Sequence, residues 1–253
     1  MRSVGLVALF ALAACSSRTG DPPAPYTANV LGAGQRLREV QDPALKLAGS
    51  NVTISTAVVA AVDNFDETHD GKSRGTVYVQ DADTGGPLAA ITLYSPSFQP
   101  TSLRLGPGDV VDMSGQYVEQ TTIGSTVNFA PAFLPQLNKP QVTFRFEVGA
   151  PQPTVINVGD LSTFDTGRKW IGQLVTIQNV TVAGAPVSDS KKTGRVTAAL
   201  TADAKNGPGI SNELYDMPEA SFPANTTFKS VTGLVTYFFN LKIAPRSAAD
   251  LVK

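Results

Sequence analysis

The chain has 253 residues, of which 42% are hydrophobic and 16% are charged, and its net charge is −1. This much apolar material can fill packed cores, so the composition excludes a disordered protein. A charge near zero argues against nucleic-acid binding through bulk electrostatics, which needs an excess of Lys and Arg. Few charges and many Gly, Pro, Thr, Val and Ser residues favour strands joined by turns.

The first residues, 1–14, have the features of a secretory signal peptide. Arg2 provides a positive charge, and the apolar run at 4–14 is too short to span a bilayer as a stable helix. We therefore expect an exported protein.

The signal ends in Leu12-Ala13-Ala14-Cys15, which matches the lipobox of bacterial lipoproteins residue for residue. This resemblance implies cleavage before Cys15 and acylation of its thiol and amine, with chains such as palmitate. The membrane would then be a partner through the N-terminal lipid, and the protein would be anchored in the cell envelope. By the same resemblance, Ser16 implies sorting to the outer membrane in a Gram-negative organism. The alternative is an ordinary signal peptide in which Cys15 is incidental.

Residues 15–30 form a predicted tether, because 16–25 contains three prolines and no apolar periodicity. The Gly-Ala-Gly sequence at 32–34 lacks the third glycine and the flanking strand and helix of a dinucleotide-binding loop, so we expect no cofactor there. Residues 37–40 predict a short helical turn that packs on the first domain.

Residues 49–59 and 172–182 carry the same pattern. Each segment begins with a glycine and then alternates β-branched and polar residues, which is typical of a half-buried strand. The aligned positions are Val52 with Val175 and Ile54 with Ile177. The recurrence predicts a β module that occurs twice.

The first module is expected at 31–149, and the Gly-Ala-Pro-Gln-Pro sequence at 149–153 marks a boundary. Its strands are predicted at 52–62, 75–80, 88–94, 110–118 and 136–146. A long loop, 118–140, separates the last two of them. The alternation of strand and turn signals favours a small barrel.

The second module is expected at 154–253 and repeats this order. Its strands are predicted at 174–182, 195–201, 210–215 and 227–236, followed by a hairpin at 237–247. Gly115 in the first module corresponds to Gly233 in the second. A glycine inside a strand usually marks a bulge or bend, which a small barrel needs to close.

Residues 170–182 and 230–247 resemble the opening and closing strands of oligonucleotide/oligosaccharide-binding (OB) fold modules of bacterial exported proteins. Such modules occur beside secreted nucleases or within surface lipoproteins. The resemblance implies an all-β chain of two tandem five-stranded OB-like barrels after the signal peptide and tether. The structural alternative is an immunoglobulin-like sandwich, which has about seven strands in each module.

Few residues are suited to catalysis. His69 is the only histidine, which excludes mechanisms that need two. Asp63, Asp66, Glu67 and Asp70 surround it, and calcium binds such carboxylates, but their spacing lacks the EF-hand pattern and a solvated loop is expected. No Gly-x-Ser-x-Gly nucleophile elbow is present. We expect no enzyme, no cofactor and no metal.

Four aromatic residues are the candidates for ligand binding. Tyr78 and Tyr94 lie on the predicted second and third strands, where an OB barrel presents aromatic platforms, although cross-strand packing is the alternative. Phe129 and Phe133 lie in the long loop, where they either fold back on the barrel or meet a partner.

We expect a non-enzymatic binding or scaffold module for an envelope protein or a glycan, with its ligand surface on the first barrel, where the longer loops lie. The alternative is a nucleic-acid-binding or nuclease-accessory protein. That alternative needs a basic groove, which a nearly neutral and sparsely charged chain disfavours.

Overall fold

The computed structural model describes most of the chain after the tether. The described residues are 34–66, 75–83, 85–93, 105–121, 133–188, 196–200, 208–217, 221–238 and 240–253. The predicted signal peptide, Cys15 and the tether lie outside these ranges, as do Tyr94 and Phe129. Of Phe133, only the backbone placement is described.

The first sheet is a closed barrel. Its strands are β1 (Asn51–Val62), β2 (Val77–Asp81), β3 (Ala90–Leu93), β4 (Asp109–Thr121) and β5 (Phe133–Glu147). They follow each other around the barrel in the order β1-β2-β3-β5-β4, and β4 pairs back onto β1. β3 and β5 are parallel, and the other neighbours are antiparallel. A five-stranded barrel in the first module is therefore confirmed.

The barrel core consists of alternate residues from every strand. Because successive side chains of a strand point to opposite faces, the β-branched positions of the sequence pattern meet inside. The core includes Ile54, Val59, Val79, Ile91, Leu93, Val111, Met113 and Leu137. Burial of each such side chain contributes about 1.5–3 kcal/mol.

A short helix, α1 (Leu37–Val40), packs against the barrel and confirms the predicted helical turn. Leu37 and Val40 are fully buried in the barrel core. The carboxylate of Asp81, at the end of β2, accepts hydrogen bonds from the backbone N–H of Leu37 at 2.8 Å and from Nε of Arg38 at 2.9 Å. Apolar burial and a buried carboxylate thus hold α1 in place.

The second sheet contains eight strands, in the part of the chain that is described, and it is open. The strands are β6 (Thr154–Ile156), β7 (Leu174–Thr181), β8 (Val187–Ser188), β9 (Val196–Ala199), β10 (Gly209–Ser211), β11 (Thr227–Phe238), β12 (Asn240–Ala244) and β13 (Leu251–Val252). Their order is β6-β7-β11-β12-β10-β9-β8, with β13 also paired to β11. A second closed barrel, predicted from the sequence, is not shown by these described strands.

The opening coincides with an interruption of one strand. In the barrel, the single strand β1 pairs with β4 along its first part and with β2 along its last part. In the second sheet β7 pairs with β11 and β8 pairs with β9, and no strand connects β7 to β8. Gly184 and Pro186 lie between them, and proline has no N–H with which to continue a strand pairing.

Short helical turns between β6 and β7 were not predicted. They are Val158–Leu161, α2 (Phe164–Gly167) and Arg168–Trp170. Leu161, Phe164 and Trp170 place their side chains in the core of the second sheet. Turns of three or four residues are too short to show helical periodicity, which explains why the sequence did not reveal them.

β4 and β5 extend further than predicted. β4 continues to Thr121 and β5 begins at Phe133, and these two residues pair with each other. Phe133 therefore lies at the start of a strand and not within a loop. Backbone hydrogen bonds between antiparallel strands form whatever the side chains are, so a hairpin can continue beyond its hydrophobic pattern.

The backbone confirms the register of the repeated segment. Gly49 and Gly172 have φ angles of 86° and 83°, a conformation that glycine adopts without steric cost. Each of the two donates its N–H to a carbonyl on the opposing strand, Gly49 to Tyr117 at 2.7 Å and Gly172 to Val235 at 2.8 Å. Seven residues after each glycine, Thr56 and Asn179 both have a positive φ, of 62° and 53°.

Gly115 and Gly233 occupy equivalent places. Gly115 lies opposite Val52, and Gly233 lies opposite Val175. The pairing of β4 with β5 shifts register between Ser114 and Gln116, in agreement with the bulge predicted at Gly115. The pairing of β11 with β7 runs through Gly233 without a shift, so the bulge predicted there is not seen in that pair.

Candidate binding site at the junction of the two sheets

Tyr78 lies between the two sheets. It is 8% exposed and belongs to a buried cluster with Ala60 and Ala61 of the barrel and Leu174 and Leu234 of the second sheet. Its neighbours Val77 and Val79 point into the barrel, so Tyr78 is on the outer face of β2. The ring is therefore a packing element of the junction in this structure and not an exposed platform.

The other candidate residues are placed only in part. Tyr94, Phe129, Glu67, His69 and Asp70 lie outside the described residues, as does Cys15. Asp63, at the end of β1, is buried. Within the described ranges, no three His, Cys, Asp or Glu side chains lie together in a group that could hold a metal ion.

Backbone and amide groups join the barrel to the second sheet. The hydrogen bonds run from Leu174 N–H to Gln80 Oε1 at 3.2 Å, from Gly86 N–H to Gln173 Oε1 at 3.4 Å, and from Leu88 N–H to the Lys169 carbonyl at 2.7 Å. Gln80 and Gln173 are both buried, so two side-chain amides replace water at this contact. The segment 168–174 thus lies against β2 and the turn that leads to β3.

Gly172 allows the close approach of this segment. A Cβ atom at Gly172 would lie 3.3 Å from Cβ of Ala90 and 3.4 Å from the backbone nitrogen of Ile91. Space is tight there, and the positive φ disfavours any side chain. Gly172, the first residue of the repeated pattern, therefore also allows the two sheets to pack closely at the junction.

An ion pair forms a further contact between the two sheets. The guanidinium of Arg168 pairs with the carboxylate of Glu119 on β4. Tyr117 donates its hydroxyl proton to Glu119 at 2.9 Å. Burial, together with the neighbouring Glu119 carboxylate, raises the pKa of Tyr117 well above its ordinary value, so this phenol stays a hydrogen-bond donor.

A polar cluster lies on the outer face of the second sheet. It consists of Ser211 on β10, Glu213 just after it, Thr236 on β11 and Lys242 on β12. The ammonium of Lys242 lies 3.4 Å from Oε1 of Glu213, and both residues are buried. The hydroxyls of Ser211 and Thr236 are buried and have no hydrogen-bond partner in the part of the chain that is described. We call these four residues the junction cluster.

Strand register brings the junction cluster together. Thr236 lies directly opposite Lys242 in the β11–β12 pair, and Gly209 of β10 lies beside Lys242. The intervening residues Ile210, Val235, Leu241 and Ile243 point into the core, so the cluster residues face the other way. Leu234, two positions before Thr236, faces the same way and packs with Tyr78. The junction cluster therefore borders the contact with the barrel.

The chemistry of the junction cluster is hydrogen bonding with balanced charge. One ammonium and one carboxylate offset each other, and two hydroxyls can each donate and accept. A buried polar group without a partner costs about 1–3 kcal/mol. The two hydroxyl oxygens have almost no exposed surface, so in this structure the cluster is a buried polar part of the sheet and not an open binding surface.

The sequence did not single out these four residues. Lys242 lies between Leu241 and Ile243, in a pattern that usually places the charged side chain in solvent. The structure shows instead that Lys242 is buried, with Glu213 beside its ammonium. The only sequence signal for a buried charge is a lysine in the middle of a short apolar strand, and this signal is weak.

No protein-family model, curated protein or solved structure matched the chain. In the described ranges, the helices are all too short or too polar to cross a bilayer.

Proposed function

We propose that this chain is a lipid-anchored protein of the bacterial cell envelope, and that its two β modules form a non-enzymatic binding or scaffold unit for an envelope protein or a glycan. The observation that carries this proposal is the pair of matched modules, with Val52 opposite Gly115 in one and Val175 opposite Gly233 in the other. They follow the lipobox Leu12-Ala13-Ala14-Cys15 and the tether.

We further propose that both modules are OB-like. A five-stranded Greek-key barrel is the OB architecture, and the ring β1-β2-β3-β5-β4 with parallel β3 and β5 agrees with it. The second sheet has the same order if β7 and β8 are two halves of the strand that corresponds to β1. β10 and β12 are then the parallel pair. This agreement supports an opened barrel of the same kind.

The junction favours binding over a nucleic-acid function. The aromatic platform that single-strand binding would use on β2 is Tyr78, and its ring is packed against Leu174 and Leu234. The buried ion pair of Lys242 with Glu213 leaves no excess positive charge at the junction cluster. A phosphate backbone, which needs excess positive charge, is therefore disfavoured at this cluster.

The proposal is tested by comparing the wild-type chain with Cys15→Ala, and with Ser17→Ala as the matched control. Wild type and the control should incorporate labelled palmitate and sediment with membranes, whereas Cys15→Ala should do neither. Crosslinking of the tagged protein in cells should then capture an envelope protein or glycan-bearing material with wild type and much less with Cys15→Ala. Equal palmitate label in Cys15→Ala would contradict the anchor, and specific capture of DNA or RNA would contradict the binding partner.

A further inference from the structure

We draw no further inference here: the strongest candidate, the partly exposed outer face of β7 and β11 that carries Thr176, Gln178, Ser230 and Thr232, is an ordinary polar sheet face, and nothing in the described part of the chain shows what covers it.

Discussion

The backbone N–H of Leu174 donates a hydrogen bond to the side-chain oxygen of Gln80 at 3.2 Å, so a side chain of the barrel holds the first residue of β7. Both residues are buried, at 0% and 1% exposure. Gln80 and Tyr78 share the outer face of β2, where a solitary barrel would meet water. The second sheet covers part of that face, and the junction is therefore part of the interior of the protein.

The first prediction concerns this hydrogen bond. Gln80→Met keeps the length of the side chain but removes the acceptor, so the N–H of Leu174 is left buried and unpaired. We expect a loss of about 1–3 kcal/mol in the free energy of unfolding, measured by denaturant titration. Gln178→Met, at an exposed position of β7, is the control and should change little. Equal effects in the two variants would show that the Gln80 contact does not stabilise the junction.

The second prediction concerns the second module by itself. A fragment from about residue 154 onward should give a β-type circular dichroism spectrum and a cooperative melt, because its core cluster is drawn almost entirely from its own residues. Its melting temperature should be lower than that of the full chain, because Leu174 and Leu234 are no longer buried against the barrel.

Leu234→Ala should have different effects in the full chain and in the isolated fragment. In the full chain the substitution opens a cavity at the junction and should cost about 2–5 kcal/mol, whereas in the fragment it should cost much less. A fragment that is molten, with no cooperative melt, would show that the two modules share one folding unit.

The third prediction concerns Gly233. A Cβ atom there would lie 2.6 Å from the carbonyl oxygen of Ala244, on the adjacent strand, and backbone cannot easily move away. Gly233→Ala should therefore destabilise the protein by about 1–3 kcal/mol in thermal or denaturant unfolding. Gly159→Ala serves as the control, because a Cβ atom at Gly159 would meet nothing within 4 Å. If both variants were equally stable, the close approach at Gly233 would be disproved.

The fourth prediction concerns pH and Asp81. Burial raises the pKa of Asp81 in the folded protein, although the N–H of Leu37 and the guanidinium of Arg38 oppose the shift. The folded state then binds a proton more tightly than the unfolded state does. The contribution of Asp81 to stability is therefore greatest below its unfolded pKa and falls as pH rises through its folded pKa.

Asp81→Asn should remove this pH dependence. Urea unfolding of both proteins from about pH 3 to about pH 8 should show the stability of wild type, relative to Asp81→Asn, falling with rising pH. A relative stability that rises across the same range would mean that the hydrogen bonds from Leu37 and Arg38 outweigh burial.

The sequence by itself determined the features that depend on neighbouring residues. The lipobox that ends at Cys15 is recognised from the identity of four consecutive residues, and lipidation of Cys15 stays a prediction. Alternation of β-branched and polar residues predicted β1 and β7 and their shared register, because a strand buries every second side chain. The glycine inside each fourth strand also predicted the bulge at Gly115, since a strand interior rarely accepts glycine without a structural reason.

Only the tertiary structure decided which surfaces are covered and whether a sheet closes. Alternation shows that Tyr78 points away from the barrel core, but not that Leu174 and Leu234 of the other module lie on that side. Ring closure depends on pairing between strands far apart in the chain, and the break between β7 and β8 lies in residues whose pattern resembles any turn. The junction cluster was hidden from the sequence for a similar reason: Ser211, Thr236 and Lys242 come together only through the pairing of strands that are separate in the chain.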